Sequence, residues 1–263
     1  MKIKILITIL FTLTNFFTIQ VNAQMYNESL FKKKTFTSND SLQLNYRILF
    51  PDTYIANSTQ TYPLVLFLHG SGERGTDNQK QLTHVDIVFG KPEFLQQYKC
   101  FVIIPQCNEN YRWVNVDWKL PKHKMPSEPS DYLQAVMQLM NNLTQNLPID
   151  SNRLYIMGLS MGGFGTWDYI SRYPDLFAAA VPICGGGDEN KAPVLKNMPL
   201  WVFHGAKDNV VPVGRSRNMV AAVKKAGNKQ VKYTEFKNTG HNAWTPAFNT
   251  KGLFDWLFAQ NKK

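Results

Sequence analysis

Five short apolar runs, most of them ending in glycine, set the strongest limit on the fold of this chain. They are LVLFLHG at 64–70, FVIIPQ at 101–106, RLYIMGLS at 153–160, AAAVPICGG at 178–186 and LWVFHG at 200–205. Continuous apolar strands of this length are typical of parallel sheets, which are buried on both faces. The runs predict a mostly parallel sheet, and the more polar VKYTEFK at 231–237 is expected to be its last strand.

Helical patterns fall between the apolar runs, and this alternation decides the arrangement of layers. SDYLQAVMQLMNNLTQNLP begins at a Ser130 or Asp131 cap, carries an apolar stripe and ends at Pro148. Further helices are predicted over 161–174, 214–227 and 252–260. Alternating strands and helices predict a doubly wound α/β domain, in which helices cover both faces of the sheet.

Two segments depart from this alternation. SLQLNYRILF at 41–50 alternates apolar and polar residues, which predicts a half-buried strand in an antiparallel edge with KKTFTS at 33–38. Residues 107–130 are rich in tryptophan, proline and lysine, and we expect a long surface excursion near the carboxyl edge of the sheet. A length of 263 residues fits one domain, which we place at 24–263.

The first 23 residues have the pattern of a secretory signal peptide. Lys2 and Lys4 precede a mostly apolar run from Ile5 to Ile19, and the small-x-small sequence VNA ends at Ala23. A membrane anchor is the alternative, but the run is short for a transmembrane helix and contains four threonines and an asparagine. We expect cleavage near Ala23, export to the periplasm or the medium, and no stable membrane insertion afterwards.

The net charge of +10 raises the question of a nucleic-acid partner. The basic residues are scattered in short clusters such as Lys32-Lys33-Lys34 and are not gathered in one segment. This distribution predicts a solvated surface and no nucleic-acid binding. Because 44% of the residues are hydrophobic and 13% are aromatic, the chain can bury a large core, which excludes an intrinsically disordered protein.

The segment Gly158-Leu159-Ser160-Met161-Gly162 matches the pattern G-x-S-x-G between a predicted strand and a predicted helix. A tight strand-to-helix turn brings the positions two before and two after the serine together, so glycine is needed at both. The strained turn exposes the serine hydroxyl above the sheet, and the helix amino terminus favours negative charge beside it. A simple turn is the alternative, but the context predicts Ser160 as a nucleophile.

A serine hydroxyl needs a general base, and the base needs a carboxylate that orients it. In a site of this kind, the acid and then the histidine follow the serine along the chain. Of the five histidines, only His241 comes late, in NTGHNAW after the last predicted strand, and we predict it as the general base. His69 and His204 stand in strand-end HG pairs, where a structural role bonded to the backbone is expected.

Asp208 is the predicted acid, because HGAKDNVVP places it just beyond the apolar run at 200–205. A carboxylate there can reach the outer imidazole nitrogen of the base and fix its tautomer. Asp188, which follows the preceding run, and Glu235 remain alternatives. Asp208 itself could instead cap a helix that begins in VVPVGRS.

The charge of a tetrahedral intermediate calls for two backbone N–H groups, one after the nucleophile and one in the loop after an earlier strand. These groups are predicted to belong to Met161 and Ser71, with Gly72 as the alternative to Ser71 in LHGSGERG. The glycines of that loop would let its backbone approach a substrate, although a plain tight turn would also account for them.

Three tryptophans fall near the predicted site. Trp113 and Trp118 lie in the excursion, and Trp244 follows His241 closely. Aromatic side chains at these positions would suit a phenolic acid or a sugar ring of a substrate. Packing of the excursion onto the domain is the alternative.

Taken together, these segments resemble the α/β-hydrolase superfamily over nearly the whole mature chain. LFLHGSGERG, PQC, RWV, GLSMGGFGTWDYISRYPDLFAAAVPICGGGD, LWVFHGAKDNVVP and GHNAW are similar, more narrowly, to exported esterases. That group includes feruloyl esterases, acetyl xylan esterases and poly(hydroxyalkanoate)-depolymerase-like proteins. The resemblance implies an α/β-hydrolase fold and ester hydrolysis through an acyl-enzyme, with no cofactor and no metal. The implied substrate is a feruloyl or acetyl ester on plant polysaccharide.

Other functions are compatible with the same module. A small serine peptidase of the prolyl-oligopeptidase type, or a thioesterase, could use the same residues. A non-catalytic carbohydrate-binding relative could retain the fold. Because the three predicted catalytic positions all carry competent side chains, the sequence favours an enzyme.

Overall fold

The computed structural model describes residues 30–56 and 59–262, and its strands form one eight-stranded sheet. The strands are β1 (Phe31–Thr37), β2 (Gln43–Leu49), β3 (Tyr62–Leu68), β4 (Phe101–Pro105), β5 (Ile149–Leu159), β6 (Ala179–Ile183), β7 (Leu200–Gly205) and β8 (Val231–Phe236). The predicted signal peptide and its cleavage site lie outside the described residues.

The order of strands across the sheet is β1-β2-β4-β3-β5-β6-β7-β8. All pairs from β4 to β8 are parallel, whereas β2 is antiparallel to both β1 and β4. The prediction of a mostly parallel sheet with an antiparallel amino-terminal edge is therefore confirmed. Parallel strands have their carboxyl ends at one edge of the sheet, and this edge receives the loops that follow β3, β5, β7 and β8.

Seven α-helices accompany the sheet in the described residues. They are α1 (Asp86–Phe89), α2 (Pro92–Gln97), α3 (Asp131–Asn146), α4 (Met161–Arg172), α5 (Gly214–Lys225), α6 (Trp244–Phe248) and α7 (Leu253–Phe258). The sequence predicted α3, α4, α5 and α7. It did not predict α1, α2 and α6, which have four, six and five residues and carry no clear helical period.

The helices divide between the two faces of the sheet and build a separate core on each. Residues of α3, α4 and α5, such as Leu139, Trp167 and Val223, pack in the first core. Residues of α1, α2, α6 and α7, such as Phe89 and Leu257, pack in the second. This is the doubly wound arrangement that the alternation of strands and helices predicted.

The longest helix, α3, shows how local sequence sets its position. The hydroxyl of Ser130 accepts a hydrogen bond from the N–H of Leu133 at 3.2 Å, so Ser130 is the amino-terminal cap. The helix ends at Asn146, just before Leu147 and Pro148, because the residue preceding a proline disfavours helical backbone. Its buried residues form one stripe against the sheet.

The strand β2 is more buried than its alternating sequence predicted. Tyr46 and Ile48 pack in the first core as expected, but Arg47 and Leu49 on the opposite face are also buried. The guanidinium of Arg47 donates hydrogen bonds to the backbone carbonyls of Asn78 and Phe31, which permits burial of its charge. The prediction of a half-buried strand is wrong, because the second core extends over this face of β2.

No helix in the part of the chain that the structure covers, 30–56 and 59–262, combines the length and apolar character that a bilayer span requires.

Truncation of Leu139 tests the packing of α3 on the sheet. We expect Leu139→Ala to lower the free energy of unfolding by about 2–5 kcal/mol, because this fully buried side chain would leave a cavity. The matched control is Leu120→Ala, since the side chain of Leu120 is 51% exposed. Urea unfolding followed by circular dichroism measures both, and equal midpoints for the two variants would contradict the packing described.

Candidate active site

Ser160 lies at the turn between β5 and α4, where the sequence predicted a nucleophile. Its backbone has φ 53° and ψ −118°, a conformation that residues with a Cβ adopt rarely and at a cost of about 1–3 kcal/mol. Its N–H donates to the carbonyl of Ile183 at 2.9 Å, and its carbonyl accepts from the N–H of Phe164 at 3.1 Å. These bonds hold the strained turn between β6 and the first turn of α4.

The two glycines of the motif permit this turn. A Cβ on Gly158 would overlap the carbonyl oxygen of Gly162, and a Cβ on Gly162 would overlap the carbonyl oxygen of Leu68. The first turn of α4 thus packs directly on the backbone of both β5 and β3. No side chain larger than hydrogen fits at either position.

His241 lies in the loop after β8, and its ring meets the serine. The Oγ of Ser160 is 2.8 Å from Nε2 of His241, and Nδ1 of His241 is 2.7 Å from Oδ2 of Asp208. An ionised carboxylate can only accept, so Nδ1 carries the hydrogen. In the neutral ring, Nε2 is therefore the acceptor for the serine hydroxyl.

Asp208 lies in the turn after β7, and its side chain is fully shielded from solvent. Its Oδ1 accepts from the N–H groups of Val210 and Val211, both at 2.9 Å. Burial would raise the pKa of Asp208, but hydrogen bonds from two imidazoles and two backbone N–H groups outweigh burial and hold that pKa well below its usual value. The carboxylate therefore stays ionised beside His241.

The two alternatives for the acid have other partners. Asp188 accepts from the backbone N–H of Asn190 and caps a short 3₁₀ helix. Glu235 forms a bidentate pair with Arg217 at 2.8 and 2.6 Å. The hydrogen bonds from Arg217 lower the pKa of Glu235 to about 2. Of the three carboxylates, Asp208 is the one that the structure places on His241.

The loop after β3 reaches Ser160 from the other side. Ser71 opens a 3₁₀ helix, Ser71–Glu73, and a Cβ on the preceding Gly70 would lie 3.6 Å from the Cβ of Ser160. Nε of Arg74 donates to the carbonyl of Ser71 at 2.9 Å and braces this loop. Met161 is the first residue of α4. The two predicted oxyanion N–H groups thus belong to segments that flank Ser160.

Two further histidines lie on the loops around the site. His69 contacts backbone through both ring nitrogens: Nδ1 is 2.6 Å from the carbonyl of Gly70, and Nε2 is 3.0 Å from the N–H of Cys107. His84 stacks at a tilt on Trp244, with ring centroids 5.2 Å apart, and its Nε2 is 3.3 Å from Oε1 of Glu73. His69 supports the loop after β3, whereas His84 borders the site through Trp244.

The three predicted substrate-contacting tryptophans differ in position. The ring of Trp244 meets the ring of His241 edge to face, with centroids 5.4 Å apart, so this side chain lies at the site. Trp118 is half-buried, packs against the first core and lies under the guanidinium of Arg112. Trp113 is fully buried, and its Nε1 donates to the carbonyl of His69 at 2.9 Å. The prediction that Trp113 contacts the substrate is therefore wrong, because its indole is buried in the first core and has no surface open to a ligand.

The excursion 107–130 contains no helix or strand, yet it is held at several points. Arg172 donates to the carbonyls of Pro126 and Ser127 at 2.8 and 2.9 Å. The fully buried Arg215 donates to the carbonyl of Leu120 at 3.0 Å. Asp188 accepts from the N–H of Met125 at 3.0 Å. Side chains of the folded domain thus fix the path of this segment.

Three potential ligand atoms, on Cys184, His204 and Asp208, lie within 4.8 Å of one another. Among the described residues this is a group with metal-ligand chemistry, but each member is engaged. The thiol of Cys184 donates to the carbonyl of His241 at 3.2 Å, and burial together with the charge of Asp208 raises its pKa to about 12. A protonated thiol is a poor ligand, so these residues do not fit a resident metal.

Sequence reasoning missed the contact between His204 and Asp208, which are 3.2 Å apart at Nε2 and Oδ2. The spacing of four residues is visible in the sequence, but it predicts a contact only when the shape of the turn after β7 is known. A strand-end histidine four residues before the acid lies at the base of the same turn. Sequence reasoning also missed His84, which no motif singled out.

The sheet order, the strained serine and the aligned serine, histidine and carboxylate define an α/β-hydrolase. The chain belongs to the phospholipase/carboxylesterase family, whose model matches residues 53–250.

Similarity to known proteins agrees with this family. The crystal structure of a thermostable esterase superposes with a TM-score of 0.80 and 39% identity, and covers 89% of this chain and 64% of that one. The poly(3-hydroxyalkanoate) depolymerase C of Paucimonas lemoignei is 29% identical over 136 residues, 47% of this chain and 28% of that protein. The bifunctional acetylxylan esterase/xylanase XynS20E of Neocallimastix patriciarum is 24% identical over 156 residues, 59% of this chain and 21% of that protein. The chain therefore matches less than two thirds of each of these relatives.

Substitution of Gly162 tests the packing of the elbow. We expect Gly162→Ala to destabilise the fold by at least about 1–3 kcal/mol, because the new methyl group must displace the backbone of β3. Gly214→Ala is the control, since a Cβ there meets nothing within 4 Å. The control is expected to be neutral or more stable by up to about 1 kcal/mol. Urea unfolding measures both, and a Gly162→Ala protein as stable as the control would contradict this geometry.

Proposed function

We propose that this protein is a serine carboxylic-ester hydrolase that acts through an acyl-enzyme. The observation that carries the proposal is the continuous chain of hydrogen bonds from Ser160 through His241 to Asp208, with distances of 2.8 and 2.7 Å. A nucleophile, a base in the required tautomer and an ionised orienting carboxylate are the three parts that acyl transfer needs.

In the first half of the reaction, Oγ of Ser160 attacks the ester carbonyl and its proton passes to Nε2 of His241. The ionised Asp208 stabilises the imidazolium through Nδ1. The carbonyl oxygen becomes negative and accepts hydrogen bonds from the N–H groups of Met161 and Ser71. When the tetrahedral intermediate collapses, the bond to the alcohol oxygen breaks and Nε2 returns the proton to that oxygen, which leaves as the alcohol.

In the second half, water replaces the alcohol. His241 takes a proton from the water as its oxygen attacks the acyl carbonyl, and then gives the proton to Oγ of Ser160 as the acid leaves. Oxygen and hydrogen balance over the cycle: one water is consumed, one alcohol and one carboxylic acid are released, and the serine hydroxyl is regenerated. The chain supplies every group that this scheme uses.

The substrates we propose are feruloyl or acetyl esters on plant polysaccharide. Two observations support this class: the similarity to a protein named as an acetylxylan esterase, and the edge-to-face contact between the rings of Trp244 and His241. An aromatic side chain beside the general base suits the ring of a phenolic acid or of a sugar.

We also propose that the protein is exported. The support is the pattern of a basic start, an apolar run and the ending VNA at residues 1–23. Amino-terminal sequencing of the protein recovered outside the cytoplasm is expected to begin at or next to Gln24. Recovery only inside the cytoplasm, with residues 1–23 still attached, would contradict export.

Removal of the serine hydroxyl tests the reaction. We expect Ser160→Ala to reduce kcat/KM for p-nitrophenyl acetate by about 10⁴-fold or more, because the hydroxyl that forms the acyl-enzyme in this scheme is removed. A fluorophosphonate probe is expected to label the wild-type protein and not this variant.

The matched control is Ser151→Ala, which removes an exposed serine hydroxyl at the other end of β5. This control is expected to retain wild-type hydrolysis and labelling. Wild-type turnover by Ser160→Ala would rule out the scheme, and a wild-type protein that neither hydrolyses esters nor accepts the probe would indicate a binding protein.

A substrate panel tests the proposed class. Ethyl ferulate, acetylated xylan, an acyl thioester and a dipeptide amide are compared at equal enzyme concentration. We expect the two carboxylic esters to be hydrolysed with kcat/KM at least 100-fold above the amide. Preference for the amide would identify a peptidase, and preference for the thioester a thioesterase.

A further inference from the structure

A second imidazole contacts the carboxylate that orients the base. His204 is in β7, four residues before Asp208, and its side chain is fully buried. Its Nε2 is 3.2 Å from Oδ2 of Asp208, the same oxygen that lies 2.7 Å from Nδ1 of His241. Asp208 therefore lies between two imidazole rings, one of which faces the nucleophile and one of which faces the core.

The neighbours of His204 determine which of its nitrogens carries a hydrogen. Nε2 is 3.0 Å from the carbonyl of Val211, and a carbonyl, like the carboxylate, can only accept. Nε2 is therefore protonated and donates to both oxygens. Nδ1 is 2.7 Å from the hydroxyl of Ser216, which also lies 3.1 Å from the carbonyl of Gly185. Ser216 thus holds the ring from the side opposite to Asp208.

With His204, all four acceptor positions of the carboxylate are filled. The N–H groups of Val210 and Val211 bind Oδ1, and the two imidazoles bind Oδ2. A carboxylate saturated in this way can rotate only by breaking several bonds at once. Without the donor on His204, Oδ2 of Asp208 would accept a hydrogen bond from His241 alone.

We propose that His204 is a positioning residue, which donates from Nε2 to Asp208 and, together with Ser216, holds the carboxylate in line with Nδ1 of His241. This inference rests on the proposed hydrolase function. His204 does not touch the substrate or the nucleophile. Its effect on the reaction passes through Asp208.

A purely structural role for His204 would predict something different. If the ring only fills the core, its loss changes stability but leaves the pH dependence of the reaction alone. If it donates to Asp208, its loss concentrates the negative charge of the carboxylate on the one remaining imidazole, and the protonated form of His241 is then held more strongly. The acidic limb of the kcat/KM profile must then move to higher pH. The direction is the same whether the lost ring is a neutral donor or a cation.

Other ionisable groups lie close to His204 and Asp208, and their charges do not change in the experiment. Cys184 of β6 approaches from one side, and the raised pKa of its thiol keeps it neutral through the pH range used. Glu235 of β8 lies beside His204 in the strand register and is paired with Arg217 of α5. The variants proposed below leave these three side chains unchanged.

The test uses the full-length protein and three variants, His204→Phe, His204→Gln and Ser216→Ala. Phenylalanine retains the ring but no donor, whereas the side-chain amide of glutamine can place an N–H near the position of Nε2. The measurements are kcat/KM for p-nitrophenyl acetate from pH 5 to 9, the thermal unfolding midpoint, and the rate of fluorophosphonate labelling. Because Oδ1 of Asp208 stays bound to the N–H groups of Val210 and Val211, we expect the carboxylate of His204→Phe to remain on His241. The acidic limb of kcat/KM is then expected to move to higher pH, and kcat/KM on that limb to fall, because less of His241 is present as the free base.

His204→Gln is expected to recover part of the rate and to return the limb towards its wild-type position. Ser216→Ala is expected to give a smaller shift in the same direction as His204→Phe. A folded His204→Phe protein with the wild-type rate and limb overturns the proposal. If that variant does not fold, Ser216→Ala tests the proposal instead. An unchanged pH profile of kcat/KM for Ser216→Ala then overturns the proposal. Failure of the hydrolase function is distinct, because the wild-type protein itself would then show neither turnover nor labelling.

Discussion

The contact between the first turn of α4 and the carboxyl end of β3 is the constraint on which the site depends. Gly162 lies against the backbone of Leu68, and Gly158 lies against Gly162, so strand, turn and helix are packed at the distance of backbone atoms. At this distance, Ser160 must adopt φ 53° to join β5 to α4. The same contact brings the loop after β3, with Ser71, to the side of Ser160. One close approach therefore positions both the hydroxyl and a candidate oxyanion N–H.

Three histidines at strand ends have three different surroundings, although two of them share the same local sequence. His69, after β3, contacts backbone and supports the loop around Ser71. His204, in β7, contacts Asp208 and Ser216 in the core. His241, in the loop after β8, is partly exposed and meets Ser160. The three histidines differ in burial and in the groups that their ring nitrogens contact. Both differences arise only when the strands are assembled into the sheet.

The parts of the structure that could be predicted are those that depend on short-range sequence. Buried parallel strands require continuous apolar runs, and the elbow requires its two glycines, so β3 to β8, α4 and the position of Ser160 followed from the residues. The order of acid and base along the chain then left few choices, and the structure brings Ser160, Asp208 and His241 together. The burial of Arg47 in β2 was not predictable, because it depends on carbonyls supplied by Phe31 and Asn78.

The same reason explains the errors around the excursion and the acid. The position of Trp113 in the excursion predicted a substrate contact, with packing onto the domain as the alternative, but its indole is fully buried and donates to the carbonyl of His69 in another loop. The contact of His204 with Asp208 depends on the turn after β7, whose shape the sequence did not specify. In each case, the deciding partner is remote in sequence or set by a turn, and its identity appears only when the fold is assembled.

The way in which the excursion 107–130 is fastened has a consequence for how such a protein can diversify. Arg172 and Arg215 donate hydrogen bonds to carbonyl oxygens of this segment, and Asp188 accepts one from a backbone N–H group of the segment. These contacts are made to main-chain atoms, so among substitutions only a proline at the N–H donor position would remove one of them directly. Most side chains of the segment can therefore be exchanged without loosening its course over the sheet edge. Exchange of exposed side chains in this segment therefore leaves the residues of the domain beneath it unchanged.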